Sequence, residues 1–224
     1  MSGPADPILA LDSASPVVSV AIGEAEGPIA ERTIPLRRSS ELLLRVIAEL
    51  LAEAECALAS LGGIVVLQGP GSFTGLRIGL GTVLGLHQAL DLRATALPSL
   101  GVLATAAGEP AAGEPAEVLA AVDAMRGDWY VQRFRLEAGP VPLSEAGLRP
   151  GGSLGELAPC RLVGFELERL AGEPWWGEAE IEVVEPPALA PLALRFAFQP
   201  GIEWDAARLT QPIYFRPPAV TVRS

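Results

Sequence analysis

Three places in this 224-residue chain carry residue types and spacings suited to chemistry on a phosphorylated ligand. The segment Gly69-Pro70-Gly71-Ser72-Phe73-Thr74-Gly75 follows the apolar run Gly63 to Leu67 and precedes a long apolar stretch. That is a strand, turn and helix context, in which unpaired backbone amides can meet an anion. Asp12 and Ser13 close the first apolar run, Ile8 to Ser13, where a carboxylate could orient a phosphate or a metal ion. Asp123 and Asp128 flank a turn, as a paired-carboxylate site would. Arg77, one turn into the expected helix, is placed to reach an anion or a partner's carboxylate.

Each has a plainer reading. The glycine spacing is GxGxxxG and the Walker lysine is missing, so Gly69, Pro70 and Gly71 equally suit a tight turn with Ser72 as helix N-cap. Asp12 is expected to bond to neighbouring turn amides, and Asp123 and Asp128 to stabilise their own turn. His87 stands among Leu86, Ala89 and Leu90 and is expected to be packed or at a rim, with no catalytic role. Trp175 and Trp176 have Glu173, Glu178 and Glu180 around them and no basic cluster, so they are expected to cover a core.

Composition removes several enzyme classes. All 16 basic residues are arginine, so the chain offers no Schiff-base lysine and no phosphate-loop lysine. Its single histidine cannot form a two-histidine metal site, which argues against a metallopeptidase, and no metal site is expected. A net charge of −11 disfavours direct capture of a nucleic acid, whose phosphates draw affinity from cationic side chains. Cys56 and Cys160 are too few for a disulfide framework and read as reduced thiols. No apolar run reaches the length of a membrane span and Met1 to Pro7 does not resemble a signal segment, so a cytoplasmic, untargeted protein is expected.

The elements that must position these residues follow from periodicity. Ile8 to Ser13 and Val17 to Ile22 read as a hairpin, and Ile29 to Ile34 as a third strand. A helix is expected from Ser40 to about Glu55, capped by Ser39 or Ser40, with Leu43, Val46, Ile47, Leu50 and Leu51 on one face. Gly63 to Leu67 is a buried strand, a second helix runs to about Leu90, and a short strand lies near Ala94 to Leu97. The order βββαβαβ implies a mixed sheet covered by helices. Ala106 to Pro115 has linker composition and divides an N-terminal lobe, 1–105, from a smaller C-terminal lobe, 116–224. In the second lobe Val118 to Asp123, Trp129 to Leu136, Arg161 to Val163 and Ile181 to Val184 read as strands and Ala190 to Phe198 as a helix. Pro212 to Pro218 reads as an extended tail that Tyr214 and Phe215 could anchor.

The second helix is unusual. Gly75, Gly79, Gly81 and Gly85 each cost about 1 kcal/mol relative to alanine. Glycines four apart let another backbone approach closely, and Leu76, Ile78, Leu80, Val83, Leu84 and Leu86 point nearly all round the helix. The second burying surface is either the first helix alone or a partner subunit as well; periodicity does not choose.

The run Ile8-Leu9-Ala10-Leu11-Asp12-Ser13, the motif Gly69 to Gly79 (GPGSFTGLRIG), Ala120 to Ala124 with Gly127 to Tyr130, and the closing Pro212 to Arg216 resemble the TsaB (YeaZ) family of tRNA threonylcarbamoyladenosine biosynthesis. The likeness is strong in the first lobe, patchy beyond it, and weak over 139–208. It implies an actin-like ATPase (ribonuclease H-like) α/β fold of two lobes, each a mixed sheet flanked by helices. It also implies a degenerate phosphate-loop remnant at Asp12, Ser13, Gly69, Gly71 and Ser72.

By that resemblance the chain is a non-catalytic partner of TsaD in transferring threonylcarbamoyl to N6 of adenosine 37, in tRNAs reading codons that begin with A. Its partners would be TsaD and TsaE, or a second copy in the absence of TsaD, with tRNA met only through the complex. Leu43, Ile47 and Leu50 of the first helix and Gly75, Arg77, Ile78, Gly81, Thr82 and Gly85 of the second would form the partner surface. No cofactor of its own is expected; a nucleotide at the interface of the complex stays open. The family often has His-Ser-Glu opening the first helix, where this chain has Ser39-Ser40-Glu41. The alternative is a nucleotide-binding enzyme of the same superfold, an ATP-dependent kinase or hydrolase using Asp12 and the glycine turn.

Overall fold

Strand β1 (Ile8–Asp12) is apolar at four of five positions because it lies in the middle of a sheet, antiparallel to β2 (Val17–Glu24) and parallel to β4 (Gly63–Leu67). The computed structural model of the chain describes residues 6–35, 39–108, 116–137, 139–157, 161–177, 181–199 and 201–213. The expected linker from 109 to 115, Cys160, Glu178, Glu180 and the tail from Tyr214 onward lie outside the described residues, as do the side chains of Ser39 and Ser40.

The first sheet has the order β3-β2-β1-β4-β5, with β3 (Gly27–Pro35) antiparallel to β2 and β5 (Ala94–Leu97) parallel to β4. Helices α1 (Ser39–Glu53) and α2 (Phe73–Leu90) cover one face, meeting Leu9, Leu11, Val20, Ile22, Ile64 and Val66. The apolar stripe read on α1 is this contact: Leu43, Val46, Ile47, Leu50 and Leu51 are all buried in it. Burial of each such leucine or isoleucine stabilises the lobe by about 1.5–3 kcal/mol.

The second sheet runs β11-β10-β6-β7-β8, with β9 also paired to β7. Its centre is the hairpin of β6 (Ala116–Asp123) and β7 (Asp128–Leu136), and β10 (Arg161–Gly164) and β11 (Glu182–Val184) add in parallel to β6. Strands β8 (Pro140–Pro142) and β9 (Gly147–Pro150) are too short and Pro-rich to show periodicity. Trp175 and Trp176 pack edge to face, 5.7 Å apart, over the outer core of this sheet with Leu154, Leu162 and Leu167, as expected of a cover.

Two helices fill the space between the sheets. α3 (Ser99–Ala104) and α4 (Ala190–Ala197) share one core with Ile8, Ala10, Val65 and Leu67 of the first sheet and Val118, Ala120, Phe134 and Val163 of the second. The start of α4 is tied to β2 by the Ala190 amide donating to Ser19 Oγ at 3.1 Å. Chain beyond α4 stays on the first lobe: Trp204 lies against Gly63 and under the Arg93 guanidinium, and Leu209 joins the α1 and α2 core. The Ile213 amide donates to the Gln68 carbonyl at 2.8 Å.

Candidate functional site

The glycine-rich segment and the Asp12 turn meet at one point of the fold. β4 delivers Gln68 to the edge of the sheet, Gly69 turns the chain at φ +99°, and Ser72 caps α2 by accepting from the Gly75 amide at 3.2 Å. The turn after β1 is pressed into the groove left by Gly71, Gly75 and Gly79. A methyl group on Gly75 would collide with the Ser13 carbonyl, one on Gly79 with Ser13 Oγ, and one on Gly71 with the Ala14 carbonyl. Half of the expected glycine seam therefore exists to admit the chain's own β1–β2 turn.

Hydrogen bonds inside this junction engage several of the donors a phosphate would use. Ser13 Oγ donates to the Gly75 carbonyl at 2.7 Å, and the Ser72 amide donates to the Ala14 carbonyl at 2.8 Å. The Ala14 and Ser15 amides donate to Asp12 Oδ1 at 2.9 and 3.3 Å, and Pro16 has no amide hydrogen to offer. Asp12 is fully buried, its Oδ2 has no hydrogen-bond partner, and burial pushes its carboxyl above the ordinary range against the lowering effect of Ser15 and the two amides. A fully buried carboxyl whose Oδ1 is already engaged by two backbone amides is poorly placed to ligate a divalent cation. No group of three or more His, Cys, Asp or Glu that could hold a metal stands among the described residues. The residues present do not fit the metal–nucleotide complex that an actin-like cleft implies.

Beside the junction a cleft of about 410 Å³ opens between the two sheets, lined by Ala14, Pro16, Ser72 and Phe73 on one side and Val122, Met125, Tyr130 and Phe165 on the other. Asp123 and Glu166 share the Arg169 guanidinium at its rim. Asp123 also accepts from the Met125 amide at 2.7 Å, the turn-stabilising role expected of it, and the Asp128 amide donates to the Met125 carbonyl. His87 is bound through Nδ1 to the Leu92 carbonyl at 2.7 Å, holding the end of α2 to the chain that follows.

The expected partner surface divides in two. Leu43, Ile47 and Leu50 point inward and are spent in the chain's own core, and Gly75 is buried against Ser13. That part of the expectation needs correction: side chains already enclosed by the sheet have no surface to offer. Arg77 and Gly81 are exposed, Ile78 and Thr82 half-buried, and Gly81 and Gly85 have open space where a side chain would stand. Arg77 lies over the Phe73 ring, 4.1 Å from its centroid. Leu44, 62% exposed on α1, was not singled out, although an apolar residue off the inward stripe of an amphipathic helix is the periodicity signal that could have found it.

A family model described as TsaD, tRNA N6-adenosine threonylcarbamoyltransferase, matches residues 33–142. The tRNA threonylcarbamoyladenosine biosynthesis protein TsaB of Escherichia coli is 27% identical over 166 residues, which cover 74% of this chain and 68% of that one. The solved structure of YeaZ from Pseudomonas aeruginosa superposes with a TM-score of 0.76 at 26% identity, covering 96% of this chain and all of that one. The chain belongs to the TsaB family.

With the TsaB family comes its fold: the two mixed sheets and their helices are those of the actin-like ATPases. Relatives differ in length around the shared part. An uncharacterized Mycobacterium leprae protein is 34% identical over 155 residues, which cover 66% of this chain but only 41% of that relative. No helix among the described residues of this TsaB-family chain is long and apolar enough to cross a membrane.

Proposed function

We propose that this chain supports a TsaD-type transferase in forming threonylcarbamoyladenosine on tRNA, without performing the transfer itself. The observation that carries the reading is the junction of Asp12, Ser13 and Gly75, where the phosphate-loop equipment of the superfold is spent on internal hydrogen bonds. A lobe closed in this way keeps the architecture of an ATPase and gives up its chemistry. Against the ATP-dependent kinase or hydrolase alternative stand the engaged Ala14, Ser15, Ser72 and Gly75 amides and the enclosure of the Asp12 carboxyl, which a phosphate and its metal ion would need to reach.

The surface left for function is the outward side of α1 and α2. Gly81 and Gly85, four apart with nothing above them, let a partner helix approach to backbone distance; Arg77 and Ile78 precede Gly81 by one turn of the same helix, and Leu44 is exposed on α1. On this reading the partner helix belongs to TsaD, or to a second copy when TsaD is absent, and TsaE and tRNA join through the complex. The acidic charge of the chain is consistent with leaving tRNA contacts to its partners. The described residues also bear no membrane-spanning helix, in keeping with a cytoplasmic complex.

Reconstitution tests the proposal. A TsaD-type transferase, TsaE, threonylcarbamoyl-adenylate precursors and unmodified tRNA are incubated with and without this chain, and modified adenosine is counted by mass spectrometry. Product that depends on the chain, and is unchanged by Asp12→Asn, supports a non-catalytic role. Equal product without it, or product from the chain alone, overturns the reading.

A further inference from the structure

We propose that the cleft between the two sheets receives a segment of the same partner that packs on α2, an apolar segment carrying at least one lysine or arginine. The inference rests on the reading of the α2 face as partner-facing and adds a second point of engagement, with a stated chemistry, to it.

Continuity is the first support. Arg77, Gly81 and Gly85 are four residues apart and form one stripe along α2, and the Arg77 guanidinium stacks on Phe73, which lines the cleft. A chain lying on the two open glycines is led past Arg77 to the cleft mouth.

Chemistry is the second. Pro16, Val122 and Phe165 give the walls an apolar character, and Met125 stands 65% exposed at the tip of the β6–β7 hairpin, where a flexible thioether adapts to an apolar occupant. The Ala14, Ser15, Ser72 and Gly75 amides are all engaged within the chain, so these four donors are not offered to a phosphate. At the far rim Asp123 and Glu166 share a single guanidinium, that of Arg169. Two carboxylates on one cation leave negative charge that a lysine or arginine of the occupant completes.

The test uses the intact chain and its TsaD-type partner. Met125→Asp and Glu166→Arg alter exposed side chains and leave the core untouched. Each is expected to weaken the complex about tenfold, the loss typical of one significant interface side chain, in titration calorimetry. Photoactivatable methionine at position 125 is expected to crosslink to an apolar, basic-residue-containing stretch of the partner. A complex that forms with unchanged Kd in both variants, and without that crosslink, overturns the cleft assignment and leaves the α2 reading intact. A crosslink from position 125 to residues 214–224 of the same chain, retained in the complex, overturns it as well. Failure of the unaltered chain to form any complex removes the α2 reading, and the cleft assignment with it.

Discussion

Ser13 sits directly over Gly75, its Oγ bonded to the Gly75 carbonyl at 2.7 Å and its own carbonyl where a Gly75 side chain would have to be. This contact separates two kinds of glycine on one helix. Gly75→Ala must displace backbone, and is expected to destabilise the chain by about 1–3 kcal/mol, the usual penalty of overpacking. Gly81→Ala meets nothing and should stabilise the isolated chain by about 0.5–1 kcal/mol through helix propensity alone. Denaturant unfolding of the two variants checks the opposite signs.

Asp12 gives the chain a pH dependence of definite sign. Burial raises its folded-state pKa, so the folded chain keeps a proton that the unfolded chain has released. That contribution is fully present below the unfolded carboxylate value of about 3.9, and is lost as pH rises through the folded pKa. Asp12→Asn cannot ionise, so its stability should gain on that of the unaltered chain as pH is raised toward neutrality. Parallel unfolding curves over that range measure the difference; a gap that stays constant with pH would mean that Asp12 is ionised in its burial site.

Leu50 and Leu44 occupy the same helix and should behave oppositely. Leu50 is fully enclosed by the first sheet, and Leu50→Ala is expected to cost about 2–5 kcal/mol of stability. Leu44 is exposed, and Leu44→Ala should change stability by less than about 0.5 kcal/mol. Its effect is expected on association instead, read as a weaker Kd for the partner by calorimetry.

Arg169 is a third contrast between stability and use. Its own side chain is 49% exposed, and it bridges Glu166, 42% exposed, and the more enclosed Asp123, 16% exposed, so Arg169→Ala should cost about 1 kcal/mol in thermal unfolding. A larger loss would show that the hairpin carrying Met125 depends on this ion pair for its fold.

Much of the architecture was legible in the sequence because it is local. Short β-branched and apolar runs marked β1, β2 and β3, the stripe from Leu43 to Leu51 marked the apolar side of α1, and the strand before Gly69 and the apolar run after Ser72 marked the turn. Short motifs also carried the turn roles of Asp12 and Asp123, since both bond to amides two residues on. What was not legible is long-range. Nothing in the spacing of Gly71, Gly75 and Gly79 says that Ser13 and Ala14, some sixty residues earlier, fill the groove. Periodicity shows that α1 has an apolar face but not that the sheet, rather than a partner, covers it, so the burial of Leu43, Ile47 and Leu50 within the chain is visible only in the fold. The six-residue α3 is too short for a periodic signal, and the return of α4 and Trp204 to the first lobe depends on contacts more than a hundred residues apart.

Association through the open glycine track of α2 is measured most directly by light scattering on mixtures with a TsaD-type protein, comparing the unaltered chain with Gly81→Leu. The expected result is a complex with the mass of both chains for the former. For the latter, separate masses are expected, with an unfolding curve showing that the variant is still folded. Undiminished complex formation by folded Gly81→Leu, or no complex with the unaltered chain, would contradict the partner-facing role of this helix.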